Sequence, residues 1–251
     1  RKALDEPTKA TIDWALAETL ALASIVEDGV PIRLSGEDVE RGTFSQRHAV
    51  LHDNETDKWH VPIRDMPQAN ASFEVRNSPL SEYAVLGFEY GYNVQAPERL
   101  VIWEAQYGDF VDGAQIIIDE FLVSARAKWG QTPSLVMLLP HGWEGQGPDH
   151  SSGLLERFLS FGSDINMRIA NCTTAAQYFH LLRRQARLLK TDPLPLVVMT
   201  PKSLLRHPRV ASPAKQFATG TWNPIIDDEH ASQHSEQIRR LVLCSGKVYV
   251  D

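Results

Sequence analysis

Residues 134–152 read SLVMLLPHGWEGQGPDHSS, an apolar run followed by a proline and then a loop rich in glycine and histidine. The run SLVMLL (134–139) is short and shows no polar alternation, so, closed by Pro and Gly, it reads as a strand buried on both faces. Strands of that kind belong to parallel sheets covered by helices on both sides. The loop from His141 to Ser152 then leaves the carboxyl end of the strand, where open parallel sheets bind ligands.

Working outward, the same alternation of apolar strand and amphipathic helix recurs. Val30–Leu34, Leu100–Trp103 (LVIW), Met167–Ala170 and Leu196–Met199 (LVVM) read as further buried strands. Before the first of these, Ile12, Leu16, Leu20, Ala23 and Val26 recur at helical spacing, and Gly29 ends that helix. Ser78-Pro79 reads as the entrance of a helix that runs through Val85 and Phe88. Asp109 is placed to cap a helix with Phe110, Ala114, Ile117 and Phe121 inward. Thr174 and Gln177 have capping-box spacing before a helix with Phe179, Leu182, Ala186 and Leu189 inward. The pattern predicts an α/β fold: an open, mainly parallel sheet with helices on both faces.

Two stretches interrupt it. Residues 35–77 keep no sustained period and carry many Gly, Arg, His, Asp and Asn, which reads as a long functional excursion. Residues 207–237 are polar and read as a linker, after which LVLCSGKVYV (241–250) is strand-like. The expected organisation is one domain over 1–206, a linker over 207–237, and over 238–251 the start of a further domain that is cut short. The 251 residues are 43% hydrophobic, enough for one large core. The net charge of −7 and the lack of a basic run exclude an electrostatic nucleic-acid surface. No apolar stretch approaches the length of a membrane span. Cys172 and Cys244 are expected as two buried thiols of a reducing compartment.

Three segments converge on the carboxyl ends of the strands: Leu80-Ser81-Glu82, Glu104–Phe110 (EAQYGDF) and the histidine loop. Glu82 at a helix start is either a functional carboxylate or a surface glutamate stabilised by the helix dipole. His141 and His150 suggest proton transfer or carboxylate binding. The loop equally suits a turn that needs positive φ angles, and it matches no phosphate-cradling or dinucleotide motif. No cysteine lies near these histidines and no HExxH spacing occurs, so no metal site is assigned. His180 reads as a packed or surface residue, and Arg47-His48 remain without a place. Ser81, Ser151 and Ser152 lack the G-x-S-x-G turn of a serine nucleophile.

Five stretches closely resemble the E1 components of 2-oxoglutarate dehydrogenase complexes: IRLSGEDVERGTFSQRHAVLHD (32–53), PLSEYAVLGFEYGY (79–92), IWEAQYGDFVDGAQIIIDEFL (102–122), LLPHGWEGQGPDHSSGLLERFL (138–159) and VVMTPKSLLRHP (197–208). They occur in the family's order and cover most of residues 12–210. The resemblance implies a transketolase-related enzyme using thiamine diphosphate and Mg2+, with this chain as its aminopyrimidine-binding domain. The Mg2+ ligands are then expected on a diphosphate-binding domain that would precede Arg1. It implies Glu82 as the catalytic glutamate at pyrimidine N1′, Leu80 as a backbone carbonyl for the amino group, and Phe110 with Gln106 against the ring. His150, and more weakly His141, would face the 2-oxo acid. Trp143 departs from the His or Tyr frequent there, leaving the loop's shape open. The implied reaction decarboxylates 2-oxoglutarate and passes a succinyl group to the lipoyl domain of the E2 succinyltransferase, in a homodimer of the bacterial cytoplasm or mitochondrial matrix. Close relatives act on 2-oxoadipate, or release an aldehyde or condense it with another. A non-catalytic assembly module of the same fold is the reading from another class. The chain alone is expected to be inactive.

Overall fold

Along each central strand, successive side chains enter different cores. Ile32, Leu34, Leu100, Ile102, Val136, Leu138, Leu196 and Val198 belong to one cluster, while Val101, Trp103, Met137, Leu139, Val197 and Met199 belong to a second. Alternation on a pleated strand sends neighbours to opposite faces, so both faces are apolar and both must be covered. The computed structural model describes residues 5–141, 147–162, 166–228, 231 and 234–251.

The chain begins with β1 (Ala10–Ile12), α1 (Trp14–Glu27) and β2 (Ile32–Gly36). A hairpin of β3 (Leu51–His52) and β4 (Trp59–His60), the short α2 (Pro62–Asp65) and β5 (Phe73–Asn77) follow. Next come α3 (Glu82–Gln95) and β6 (Leu100–Glu104). An irregular helical segment then passes from a 3₁₀ helix (Gly108–Ala114) through α4 (Gln115–Ile117) and a π-helix (Ile118–Val123) to α5 (Ala125–Trp129). After it run β7 (Val136–His141), α6 (Leu155–Phe161), β8 (Arg168–Ala170), α7 (Ala175–Leu188) and β9 (Leu196–Pro201). Finally β10 (Ser212–Pro213), α8 (Ala214–Thr219) and α9 (Lys247–Val250) complete the chain. Six strands form one sheet in the order β5-β2-β6-β7-β9-β8, with every neighbouring pair parallel. The first cluster lies under α1 and α7, and the second under α3, the irregular segment and α6.

Several sequence expectations shift. The buried face of α1 is Trp14, Ala17, Ala21, Leu22, Ile25 and Val26, whereas Leu16 is 43% exposed. Trp14 stacks on Tyr178 of α7 with ring centroids 4.4 Å apart, and the alanines allow close approach of the two helices. That pairing outweighs the leucine spacing. Asp13 caps α1, accepting from the Leu16 amide at 2.9 Å. The excursion hides β5, a half-buried edge strand (FEVRN) whose polar residues mask its pattern. The helix expected to open at Ser78-Pro79 starts at Glu82, with Ser81 extended before it. Thr174 does cap α7, but the Gln177 side chain binds Thr221 and Asn223 instead of returning to the cap.

Residues expected as a linker begin as packed structure: Val210 is fully buried, and β10 pairs antiparallel with β1. The strand expected over 241–250 does not form. Among the described residues no strand pairs with it, Leu241–Leu243 are exposed, and Lys247–Val250 is a helical turn. Cys172 is buried as expected, but Cys244 is exposed because its surroundings do not close over it. Among the described residues, no helix is long and apolar enough to cross a membrane.

Candidate active site

The chain leaves β2 toward β5 on one side of the sheet and leaves β6 toward β7 on the other. Such a reversal is the topological switch point at which α/β sheets open a crevice. Gly36 ends β2 there, and a Cβ on it would lie 2.4 Å from the carbonyl oxygen of Glu104. Only glycine permits that approach. Across the switch point the Gln106 amide donates to Asp38 Oδ2 at 2.9 Å and accepts from Thr43 Oγ1 at 3.2 Å. Arg41 also donates to Asp38, at 3.2 Å. The excursion therefore orients Gln106 from both ends of its amide.

Glu82 occupies the first helical position of α3. Its Oε2 faces the irregular segment, lying 3.8 Å from where a Cβ on Gly113 would sit. Among the described residues its carboxylate has neither a hydrogen-bond nor an ion-pair partner. Leu80 (53% exposed) and Tyr83 (49% exposed) flank it. Phe110 is half-buried on the facing 3₁₀ helix and meets His150 edge-on, with ring centroids 5.7 Å apart. Tyr107 meets the same imidazole at 4.4 Å. His150 thus lies against two aromatic rings of one segment.

Asp109 does not cap that segment. Its buried carboxylate accepts from the amides of Ser151 (3.0 Å), Ser152 (3.3 Å) and Gly153 (3.1 Å), and from the Ser151 hydroxyl (3.2 Å). His141, the last residue of β7, is buried beneath the same turn, with its Cβ 3.3 Å from a Cβ position on Gly153. Residues 142–146 of the glycine-rich loop lie outside the described residues.

Beside this zone lies a buried charge network. Arg47 donates to Glu18 Oε1 at 2.6 Å and to both oxygens of Glu104 at 2.9 and 2.6 Å. The Tyr178 hydroxyl donates to Glu18 Oε2 at 2.7 Å. Burial alone would lower the pKa of Arg47, but Glu104 and Glu18 outweigh it and hold the guanidinium well above its ordinary value. Burial first, and Glu18 next, push the Tyr178 phenol well above its ordinary range. Arg47 is therefore a structural cation that ties the excursion to α1 and β6. His48 is exposed, and its Nε2 lies 3.0 Å from the Ser45 carbonyl oxygen. Among the described residues no group of three or more His, Cys, Asp or Glu side chains is arranged to hold a metal.

Residues 10–208 match the family described as "Transketolase, pyrimidine binding domain". The chain belongs to that family. Residues 211–251 match a second description, "2-oxoglutarate dehydrogenase C-terminal". The 2-oxoglutarate dehydrogenase E1 component of Geobacillus sp. (strain WCH70) is 58% identical over 97% of this chain and 26% of its own length. That of Bacillus subtilis (strain 168) is 56% identical over 100% of this chain and 26% of its own length. The chain thus spans about a quarter of the curated relatives it matches.

In this transketolase-type domain Glu82 faces Gly113 of the 3₁₀ helix, Phe110 of that helix meets His150 edge-on, and His141 lies beneath the turn that follows His150. Gln106 stands at the switch point, bound to Asp38 and Thr43, and Leu80 precedes Glu82 on the exposed approach to α3. Sequence reasoning missed Asp38, Tyr107 and Gly113, and misread Asp109. No local signal marks them, because each acts on a residue distant in the chain: the Asp38–Gln106 bond spans 68 positions.

Proposed function

We propose that this chain supplies the aminopyrimidine half of the active site in a thiamine-diphosphate-dependent 2-oxoglutarate dehydrogenase E1. The observation that carries the reading is the Glu82 carboxylate, without a partner among the described residues, at the start of α3 and facing a glycine. An unpaired carboxylate, half-covered at a helix start, has acceptor capacity left for a ligand. The half-buried ring of Phe110 and the open main chain at Leu80 fit a flat heterocycle carrying an amino group. Exposed Leu80 and Tyr83 beside Glu82 support a site completed by a further domain, on which Mg2+ and the diphosphate would be held.

In this reading Glu82 holds a proton at pyrimidine N1′, and the Leu80 carbonyl accepts from the ring amino group. Phe110 packs on the ring face, and Gln106, oriented by Asp38 and Thr43, borders it. Thiamine diphosphate supplies, when bound, the carbon nucleophile and the sink for the electrons released with carbon dioxide. His150, held edge-on by Tyr107 and Phe110, faces the 2-oxo acid and moves protons there, with His141 behind it. The lipoyl arm of an E2 partner would be the acceptor of the succinyl group. Residues 1–206 form the pyrimidine-binding unit, followed by the segment 211–251 that matches the C-terminal family, within a homodimer. The bacterial relatives favour a cytoplasmic enzyme.

Glu82→Gln in the full-length enzyme tests the reading. It retains size and one acceptor but cannot exchange a proton with N1′. Turnover should fall by roughly 10²–10⁴-fold, the contribution of a general acid–base group, with hydrogen–deuterium exchange at cofactor C2 slowed in parallel. Unchanged C2 exchange would assign proton control to another residue. The isolated chain should bind thiamine diphosphate with Mg2+ weakly or not at all by calorimetry, and micromolar affinity would contradict the half-site.

A further inference from the structure

The carboxylate of Asp109 is buried, yet all four of its hydrogen bonds go to Ser151, Ser152 and Gly153, the three residues that follow His150. Tyr107, two positions before Asp109, and Phe110, next after it, hold the other side of His150 through their rings. Gly108 makes the clamp possible. A Cβ there would stand 2.9 Å from the Pro140 carbonyl oxygen and 3.0 Å from the Gly153 Cα, so the segment and the turn pass in backbone contact. Gly153 itself adopts φ +62°, and Leu154 after it φ +54°, so the turn is not a conformation the chain would keep unaided.

We propose that Asp109 is the positioning residue of His150: its carboxylate sets the backbone that carries the imidazole to the substrate. The assignment rests on the substrate role of His150 given above. A carboxylate only accepts hydrogen bonds, and its charge strengthens each of them. Its two oxygens divide the donors, Oδ1 taking the Ser152 amide and the Ser151 hydroxyl, Oδ2 the Ser151 and Gly153 amides. Asparagine is nearly the same shape but would turn an NH2 group toward one of these donor pairs. The turn would then lose at least one of its backbone amide bonds and set that N–H against an NH2 group.

The test is Asp109→Asn in the full-length enzyme, with His150→Ala and the double variant. Amide hydrogen exchange over 151–153 should quicken by about tenfold or more, since local opening exposes amides in proportion to the bonding lost. Exchange elsewhere and at cofactor C2 should stay as in the parent. Turnover of 2-oxoglutarate should fall by about tenfold or more, and the double variant should be no slower than His150→Ala, because coupled residues are non-additive. Parent-like turnover in Asp109→Asn beside an impaired His150→Ala overturns the positioning role alone. An equal further loss in the His150→Ala background overturns it as well, since Asp109 would then act independently. Parent-like turnover in His150→Ala sinks the substrate role of His150 and the proposal with it. If Asp109→Asn fails to fold, Asp109→Glu keeps the charge but displaces both oxygens from the turn, and unchanged exchange over 151–153 with parent-like turnover in that variant overturns the assignment.

Discussion

Glu104, at the carboxyl end of β6, and Glu18 of α1 are buried and bound on both oxygens, by Arg47 and Tyr178. Glu82, at the start of α3 on the other face of the sheet, is half-buried and unbound among the described residues. The difference separates two uses of the same side chain. A buried carboxylate without a cation carries a large desolvation cost, so the fold closes around the ion pairs and they become architecture. A carboxylate left at a helix start is stabilised by the dipole and by water, and keeps its acceptor capacity for something that arrives later.

The comparison breaks first at Arg47. Arg47→Leu leaves Glu18 and Glu104 buried without their cation, and urea unfolding of the chain should show a loss of about 3–5 kcal/mol. A loss below about 1 kcal/mol would mean that the network contributes nothing the surrounding packing does not. Glu82→Gln should behave oppositely, leaving unfolding free energy within about 0.5 kcal/mol of the parent while activity collapses. A large stability loss there would make Glu82 a structural carboxylate after all. His150→Ala in the full-length enzyme should lower turnover of 2-oxoglutarate while leaving cofactor binding and C2 exchange intact. Loss of cofactor binding instead would move His150 to the cofactor.

Tyr178→Phe sharpens the comparison at its smallest scale. It removes one hydrogen bond to Glu18 and should cost about 1–3 kcal/mol at neutral pH, the range for a bond to a charged group or a buried acceptor left short. Burial and then Glu18 raise the folded pKa of this phenol, so its contribution is complete below the unfolded tyrosine value of about 10 and is lost as pH rises above it. The stability gap between parent and Tyr178→Phe should therefore narrow between neutral pH and about pH 11. A gap that is constant across that range would show that Tyr178 titrates alike in both states.

The strands that carry the sheet were legible because their signal is local. LVIW, SLVMLL and LVVM are short, almost wholly apolar runs, and their length and flanking breakers mark them as strands covered on both faces. Helix α7 was legible for the same reason, with its cap residue and four inward positions all in one window. Glu82, Phe110 and His150 stand as candidate site residues through long ordered stretches of resemblance, while the periodicity around them leaves each with a bland alternative.

The alternation of apolar strands and amphipathic helices, and hence the α/β class, is written in the sequence alone, because burial period is a property of neighbours along the chain. Tertiary structure decided which face of α1 is inside, that FEVRN is an edge strand, and that Asp109 binds a turn 42 residues away instead of capping its own helix. It also decided that Arg47, with no place in the sequence reading, joins Glu104 at 57 positions and Glu18 at 29. Partners so far apart leave no periodic trace, since a hydrogen bond between them exists only once the sheet has brought them within 3 Å.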